Sequence, residues 1–411
     1  MKNKKLKGAL WNTLGSAMYG LNSFVMLALV SRVGSVEEAG AFGIAFTTAQ
    51  SLYIVGLCGV PHYHMTDYDE KYSFSSYAKA RVLSSSLMLL CCFFSIAAMG
   101  FTGIKRTYTV LLSILMLLNV VGELYQALFF QKNRLDLSGS ALFFRTLWSL
   151  IVFCIVTIFT KNILFAVIAQ ITANLVVTMY YSIRVAPQFI IKKSAAEKFG
   201  DSALLLLVEC FPLAISLFLK NIVINMSKYG IEFTMDDTIQ GYYSMIFMPA
   251  QVINLCSQFI IKPFLKQYAN LIAAKDKKAF FAQLSKHVIV LSALTAFCCV
   301  AARLLGVQVL GFIYGKDLSG LEVPLTLVVL GGGLYAICQL FYYILVIMRH
   351  QRRILIVYIV SAAVSAVMSL AMISNWGILG AVLAFVVTHV LVLLGYWINI
   401  IYSIISQKWS G

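Results

Sequence analysis

Long apolar stretches separated by short polar segments run along the whole chain. A hydrocarbon core about 30 Å thick is crossed by a helix of about 20 mostly apolar residues. The pattern predicts twelve such helices, at residues 8–32, 39–60, 82–103, 107–131, 140–160, 162–184, 202–226, 240–261, 288–312, 322–348, 354–375 and 377–405. The sequence therefore predicts an all-α, polytopic membrane protein with about twelve transmembrane helices and with both termini on one side.

The distribution of basic residues gives that side. Of the 32 Lys and Arg, 24 fall in the two termini and in regions on the same predicted side, namely 61–81, 132–145, 184–198, 262–286 and 349–353. Six fall on the other side: Arg32, Lys105, Arg106, Lys161, Lys228 and Lys316. Cytoplasmic loops are enriched in Lys and Arg, so both termini are predicted to be cytoplasmic. The net charge of +16 is thus explained by topology, and no nucleic-acid partner is predicted.

Composition offers no enzyme signature. The chain is 61% apolar and 12% charged, whereas soluble domains average about 25% charged residues. The nine cysteines lie in apolar stretches without the spacing of a zinc site, and no Walker-type glycine loop is present. His62 and His64 lack a nearby third ligand, and so does the pair Asp236-Asp237. We predict no catalytic residue, no metal and no cofactor.

The basic region 262–287 has two interpretations. Leu265, Tyr268, Leu271 and Ile272 would form the apolar stripe of a helix lying in the lipid headgroup layer. The other interpretation is a solvated, charged loop. The sequence does not decide between them.

A short pattern recurs six spans apart. After span one come a cation, a glycine, an acidic pair and a second glycine, at Arg32, Gly34, Glu37-Glu38 and Gly40. The same order follows span seven, at Lys228, Gly230, Asp236-Asp237 and Gly241. Because six is even, the two halves run in the same direction, as in transporters built from parallel repeats. We therefore predict two lobes of six helices, residues 1–199 and 200–411.

Three segments carry a resemblance to a known family. The opening Lys4–Asn12, the span exit Val30–Gly34 and the segment Glu38–Gly43 resemble the polysaccharide repeat-unit flippases of the multidrug, oligosaccharidyl-lipid and polysaccharide exporter superfamily. The close match covers residues 1–55, and the rest agrees in span number, repeat and loop character. The resemblance implies a MATE-like fold, with two six-helix lobes around a central, partly cationic cavity that opens alternately to the two membrane faces.

The resemblance also implies a location and a cargo. The location is the bacterial cytoplasmic membrane. The cargo is an oligosaccharide on a polyprenyl pyrophosphate, moved from the inner to the outer leaflet for capsule, O-antigen or wall polymer. The implied partners are this lipid-linked substrate, membrane lipids, a polysaccharide polymerase and glycosyltransferases. Basic residues inside the first span, typical of flippases for peptidoglycan precursors, are missing here, so that cargo is disfavoured.

Two other functions compete with this one. A cation-coupled exporter of drugs or metabolites would have the same fold, but such exporters commonly carry an acidic residue in the first span, and this chain has none there. A membrane enzyme such as a polysaccharide polymerase would be expected to carry a large outside loop. None is predicted here.

Ionisable residues within spans are functional candidates, since a charge in the bilayer is unfavourable. Four are predicted: Glu123, Glu209, Lys220 and Arg303. Glu209 and Lys220 share one helical face, with Asn221 and Asn225 to one side. We expect Lys220 to bind pyrophosphate, and we expect Glu209 or Glu123 to couple transport to a proton or sodium gradient. A structural ion pair between Lys220 or Glu209 and a neighbouring helix is the alternative.

Polar stripes on other spans extend the predicted substrate site. Their members are Asn12, Ser16 and Tyr19 on span one and Gln251 and Asn254 on span eight. Interhelical hydrogen bonds use the same residue types, so each stripe alone is weak. Arg145 is assigned either to substrate binding or to anchoring its helix, as is Arg81. Arg303 is included as a substrate residue, although reaching to the membrane surface is its favoured role.

Overall fold

The computed structural model describes residues 2–190 and 201–406, with side chains from Lys7 and from Ser202 onward in these two ranges. The described residues form helices and no strands. The first seven helices are α1 Lys2–Val33, α2 Val36–Leu57, α3 Val60–Thr66, α4 Phe74–Ala98, α5 Gly103–Gln131, α6 Leu135–Thr160 and α7 Ile163–Tyr180. The next seven are α8 Asp201–Thr234, α9 Asp237–Ile261, α10 Leu265–Ala273, α11 Lys277–Ala301, α12 Val307–Tyr314, α13 Glu322–Ile347 and α14 Gln351–Ile405.

Eleven continuous helical stretches in the described residues are long and apolar enough to cross a membrane. One of them, α14, has 55 residues, which at 1.5 Å per residue is about 80 Å, well over twice the hydrocarbon thickness. Gly377 interrupts it with φ 55° and ψ −131°. The arms on either side lie against each other, because Arg353 donates to Ser403 at 3.0 Å and the rings of Tyr358 and Tyr396 are 5.9 Å apart. The prediction of about twelve transmembrane helices is confirmed.

The recurring acidic pair marks the start of a helix in both places. Ser35 caps α2 by accepting a hydrogen bond from the backbone N–H of Glu38 at 3.0 Å. Asp236 caps α9 by accepting from the N–H of Ile239 at 2.8 Å. Acidic side chains are stabilised at a helix N-terminus by its free N–H groups and its dipole. The repeated pattern is therefore the signal that begins the second long helix of each half.

The chain divides into two compact units, Met1–Phe218 and Leu219–Gly411. The predicted boundary between residues 199 and 200 lies outside the described residues. Helix α8 contributes its first half to unit 1 and its second half to unit 2.

Unit 1 depends on close contact between α1 and α6. A Cβ on Gly139 of α6 would lie 2.4 Å from the backbone nitrogen of Asn12, and a Cβ on Gly15 of α1 would lie 2.8 Å from the carbonyl oxygen of Gly139. Helices in membranes associate through such small residues because hydrocarbon solvates apolar side chains as well as protein does. Any larger residue at either glycine would push the two helices apart.

Unit 2 is organised around α13. Three successive glycines each admit a different neighbour: Gly331 faces Phe385 of α14, Gly332 faces Ala250 of α9 and Gly333 faces Thr295 of α11. A Cβ at these positions would approach the facing atoms to 2.5, 2.7 and 2.1 Å respectively. Helix α13 is thus packed on several sides, which places its polar residues inside the unit.

The region 262–287 matches neither interpretation offered by its sequence. It forms α10 and the start of α11, and the stripe of α10 packs inside unit 2, where Tyr268 and Ile272 are buried. The Tyr268 hydroxyl hydrogen-bonds to Nδ1 of His287 at 2.8 Å. The apolar face of α10 is covered by protein and is not free to enter the headgroup layer.

Candidate transport site

A buried polar cluster in unit 1 begins with three side chains of α5 and α6. In the amide orientation that satisfies both of its ends, Gln126 donates to Oε1 of Glu123 at 3.1 Å and accepts from Nη2 of Arg145 at 2.9 Å. Arg145 is only 2% exposed. A Cβ on Gly122 would lie 1.3 Å from Nη1 of Arg145, so the guanidinium occupies the space that glycine leaves. Because Gly122 has no side chain, the guanidinium of Arg145 can lie directly against α5.

Two tyrosines bring α1 and α2 into the same cluster. Tyr19 of α1 is within hydrogen-bonding reach of Tyr53 of α2, and Tyr53 is within reach of Glu123. Arg145 and Arg81 are both close enough to Glu123 to interact with it electrostatically. We call Tyr19, Tyr53, Arg81, Glu123 and Arg145 the arginine–glutamate cluster. It unites Tyr19, Glu123 and Arg145 of the predicted site with Arg81, for which substrate binding was one of two predicted roles, and with Tyr53, which was not predicted.

Arg81 lies inside α4 and not in a loop, because this helix begins earlier than the sequence predicted. The predicted span began at residue 82, whereas α4 begins at Phe74 and buries Arg81 to 3% exposure. Its Nη1 donates to the carbonyl oxygens of Gly56 and Leu57 at 3.0 and 3.1 Å. These carbonyls end α2 and have no partner within the helix. Among the described residues, Nε and Nη2 of Arg81 have no hydrogen-bond partner, and neither does Nε of Arg145.

The polar centre of unit 2 is built around Lys220 of α8. Its ammonium donates to Oε1 of Gln339 at 2.9 Å and lies 4.7 Å from the centre of the Tyr342 ring. Gln339 in turn donates to the hydroxyl of Tyr335 at 2.5 Å. A small cavity opens beside these groups, which we call the lysine pocket. Its polar and aromatic lining consists of Lys220, Tyr335, Cys338, Gln339, Tyr358 and His389.

His389 gives this pocket an unused polar atom. The side chain is 1% exposed, and its Nδ1 is 2.8 Å from the carbonyl oxygen of Phe385. Its Nε2 is buried without a hydrogen-bond partner. Sequence patterning did not find this residue, because a single histidine in an apolar span gives no periodic signal.

The other predicted residues do not join either centre. Asn225 donates to the carbonyl oxygen of Asn221 at 3.0 Å, which is a bond within α8. On α9, Gln251 is half-buried, and Oδ1 of Asn254 is buried without a partner. On α1, Asn12 is half-buried and Ser16 is exposed. Arg303 is exposed on a π-helical turn, next to exposed Leu304 and Leu305, away from the lysine pocket's lining.

Glu209, which the sequence places on one helical face with Lys220, pairs with a different lysine. Glu209 forms an ion pair with Lys71 at 2.8 Å, and the two side chains are 29% and 55% exposed. Lys71 lies in the segment between α3 and α4, where the Glu209 carboxylate raises its pKa above the usual lysine value. Sequence reasoning missed this pair because its members are 138 positions apart.

Lys228 also lies elsewhere than predicted. Helix α8 continues to Thr234, so Lys228 is inside the helix and 5% exposed. Its ammonium lies 4.4 Å from the centre of the Phe247 ring. In contrast, Arg32, its counterpart in the repeat, is exposed at the end of α1. The repeated cation therefore has different surroundings in the two units.

His64 is a packing residue of α3. Its ring stacks on Tyr77 with centroids 3.8 Å apart, and burial lowers its pKa to about 3. A neutral imidazole sandwiched in this way supports the packing of α3 on α4.

Comparisons with known proteins agree with this architecture. Residues 5–268 match the family described as "Polysaccharide biosynthesis protein". The chain is 22% identical over 396 residues to a capsular polysaccharide biosynthesis protein, CapF, of Staphylococcus aureus, covering 93% of this chain and 96% of that protein. Both lengths therefore agree almost completely.

Solved transporter structures share the fold. The lipid II flippase MurJ in an inward closed conformation superposes with a TM-score of 0.71 at 14% identity, covering 97% of this chain and 87% of that one. An inward-facing multidrug resistance MATE transporter gives a TM-score of 0.69 at 11% identity, covering 92% and 94%. The MATE transporter VcmN of Vibrio cholerae in its bent form gives 0.61 at 13% identity, covering 100% and 98%. These likenesses establish the MATE-like fold.

Proposed function

The chain belongs to the polysaccharide biosynthesis protein family, and from that premise we propose that it is a flippase for lipid-linked oligosaccharides. Its cargo is an oligosaccharide on polyprenyl pyrophosphate, carried from the inner to the outer leaflet of the bacterial cytoplasmic membrane. The product is then used for capsule, O-antigen or wall polymer.

Three lines of support converge on this function. The family description and the name of the staphylococcal relative both refer to polysaccharide biosynthesis. The fold is that of membrane transporters, one of which is a lipid II flippase. Lipid-linked saccharides are made on one side of a membrane and used on the other, so their biosynthesis requires a protein of this kind.

The observation that carries the proposal is the pair of buried arginines. Arg81 and Arg145 lie in membrane-spanning helices, and each keeps at least one guanidinium N–H without a partner. Charges in such surroundings are unfavourable unless a ligand or counter-ion stabilises them. Pyrophosphate has the charge and the oxygen acceptors that guanidinium groups bind best. We therefore assign the pyrophosphate to the arginine–glutamate cluster and not to Lys220.

Glu123 supplies a route to gradient coupling. It is the carboxylate of the cluster, whereas Glu209 is tied to Lys71 at the edge of the unit. A proton or sodium ion bound at Glu123 would weaken its attraction for the two arginines and free them for pyrophosphate. Such an ion drives transport when it binds one conformation better than the other.

A cation-coupled exporter of drugs or metabolites is the second candidate. Glu123 and the similarity to multidrug MATE transporters favour it. The two buried arginines argue against a cationic drug, since like charges in a shared site repel each other.

Reconstituted vesicles distinguish the flippase from the exporter of drugs or metabolites. Vesicles containing the protein receive a polyprenyl-pyrophosphate oligosaccharide in one leaflet, and its appearance in the other is followed by a lectin or a glycosidase. The wild type should transfer the lipid, and Arg145→Gln should not. Transport of a cationic dye, with no transfer of the lipid, would favour the second candidate.

The proposed orientation is tested by thiol labelling. In a variant without native cysteines, Glu37→Cys, Asp236→Cys and Asp276→Cys each place a thiol at an exposed position or beside a helix cap. In intact cells an impermeant reagent should label the first two and not the third. Labelling of Asp276→Cys alone would reverse the proposed topology.

A further inference from the structure

The protonation of His389 can be worked out from its contacts. A carbonyl oxygen only accepts hydrogen bonds, so the 2.8 Å contact with Phe385 requires the hydrogen to be on Nδ1. In the neutral imidazole, Nε2 then carries a lone pair. This atom is buried, has no partner and belongs to a side chain that lines the lysine pocket. The pocket therefore contains a hydrogen-bond acceptor that no described residue uses.

The opposite role is filled by Lys220. An ammonium carries three N–H donors, and Gln339 receives one of them at 2.9 Å. Lys220 and His389 line the same cavity, so a donor and an acceptor are presented to one occupant. The cavity is about large enough for a single water-sized group.

We infer that the lysine pocket binds a sugar hydroxyl group of the cargo, which donates to Nε2 of His389 and accepts from the ammonium of Lys220. A hydroxyl is the small group that donates and accepts at once. Tyr335, Tyr342 and Tyr358 lie around the same groups, and aromatic rings provide the apolar faces on which sugar C–H groups pack. This inference rests on the proposed function and adds that the saccharide, and not only the pyrophosphate, is recognised.

Pyrophosphate fits this pocket less well. Its oxygens only accept, so one placed against Nε2 would bring two lone pairs together. Protonating His389 to avoid this would place a second positive charge beside Lys220. None of the six acidic residues of unit 2 lines the pocket, so no carboxylate there would balance a second positive charge. All six lie at helix ends or in connecting segments: Glu232, Asp236, Asp237, Asp276, Asp317 and Glu322.

Binding measurements on the full-length protein in nanodiscs test the inference. The two probes are undecaprenyl pyrophosphate without sugar and the same lipid carrying a short oligosaccharide. Two net hydrogen bonds of ordinary strength correspond to a preference of about fivefold to a hundredfold for the glycosylated lipid. His389→Phe should remove most of that preference and leave binding of the bare lipid unchanged.

His287→Phe is the matched control. His287 is another buried imidazole of unit 2, bonded to Tyr268, and it does not line the pocket. It should keep the wild-type preference. If His389→Phe does not fold, Lys220→Met tests the same contact from the donor side, with thermal stability in detergent as the check on folding.

Each outcome decides the matter. Loss of the preference in His389→Phe or Lys220→Met, with unchanged binding of the bare lipid, supports a sugar site. A wild-type preference that survives both changes overturns it. Equal loss of both probes means that the pocket holds pyrophosphate, which also overturns it. A wild type that binds both lipids equally defeats the sugar site alone, and one that binds neither defeats the proposed flippase as well.

Discussion

The two units share a helical plan but differ in the charges at their centres. In unit 1, two arginines surround a glutamate, and Gln126 joins Glu123 to Arg145. In unit 2, Lys220 is held by a neutral amide and an aromatic ring. Under the proposed function, the first centre exchanges its internal counter-ion for the pyrophosphate, whereas the cation of the second centre has neutral partners.

The two units therefore share the positions at which helices begin, but not the chemistry of their buried polar side chains. Both units begin their second long helix with a side-chain cap followed by an acidic first turn, with Ser35 as the cap of α2 and Asp236 as the cap of α9. The cation before that cap is exposed at Arg32 but buried at Lys228. Helix starts and packing are therefore common to both units, whereas the polar side chains inside them have separate roles.

The largest expected effect follows from the dependence of Arg145 on Gly122. Gly122→Ala would place a methyl group where Nη1 of Arg145 lies, so it should expel the guanidinium from the cluster. Removing one partner of a buried charge pair is destabilising by about 3–5 kcal/mol. The rate of lipid transfer in vesicles should therefore fall by more than about a hundredfold. Arg145→Gln should have a similar effect.

A double variant shows whether the two residues act together. If Gly122 acts only by accommodating Arg145, Gly122→Ala combined with Arg145→Gln should be no worse than Arg145→Gln alone. Additive losses in transfer rate would mean that Gly122 supports the packing of α5 and α6 independently. The two-arginine description of unit 1 would then rest on Arg145→Gln alone.

Sequence patterning predicted the helical frame well, for a physical reason. Hydrocarbon demands apolar helices of a fixed length, so each crossing appears in the sequence as a long apolar stretch. The prediction even separated the two arms of α14, which form one continuous helix apart from Gly377. The pattern of apolar and polar residues is a local property of the chain, so it was sufficient to locate the spans and the signals at helix starts.

The same reasoning found only part of the candidate site. It found Glu123, Lys220 and Tyr19 because polar residues stand out in apolar spans. It misjudged Glu209 because helical spacing to Lys220 says nothing about Lys71, a residue distant in sequence. It left the role of Arg81 undecided because the start of α4 was placed eight residues late. It missed His389 because hydrogen-bond satisfaction is a property of three-dimensional packing.

Lys220 is expected to have the next largest effect. Lys220→Met removes the ammonium that donates to Gln339, while keeping a side chain of similar length. A hydrogen bond from a charged donor is worth about 1.5 kcal/mol or more, so affinity for the glycosylated lipid should fall about tenfold. Lys220→Arg should restore part of it, since charge is kept and shape is not. Normal surface polymer in cells carrying Lys220→Met would leave this lysine with a structural role only.

Glu123 should control the response to an ion gradient, with a smaller effect on the rate without one. Glu123→Gln keeps the hydrogen bonding around Tyr53 and Gln126 but removes the charge that attracts the arginines. Transfer by the wild type should accelerate when a pH or sodium gradient is imposed on the vesicles, and the variant should not respond. A wild-type rate indifferent to both gradients would favour passive transfer, driven by removal of the product.

Glu209→Gln is the matched control and should have the smallest effect of all. Both changes turn a glutamate of unit 1 into its uncharged amide, but Glu209 lies in an exposed pair with Lys71, outside the arginine–glutamate cluster. Exposed ion pairs contribute little to stability because water already solvates both charges. The variant should therefore keep the wild-type response to a gradient and nearly the wild-type rate. The opposite result would be a Glu209→Gln variant that no longer responds to a gradient and a Glu123→Gln variant that still does. The coupling site would then be the exposed pair and not the buried cluster, and the proposed electrostatic difference between the two units would be lost.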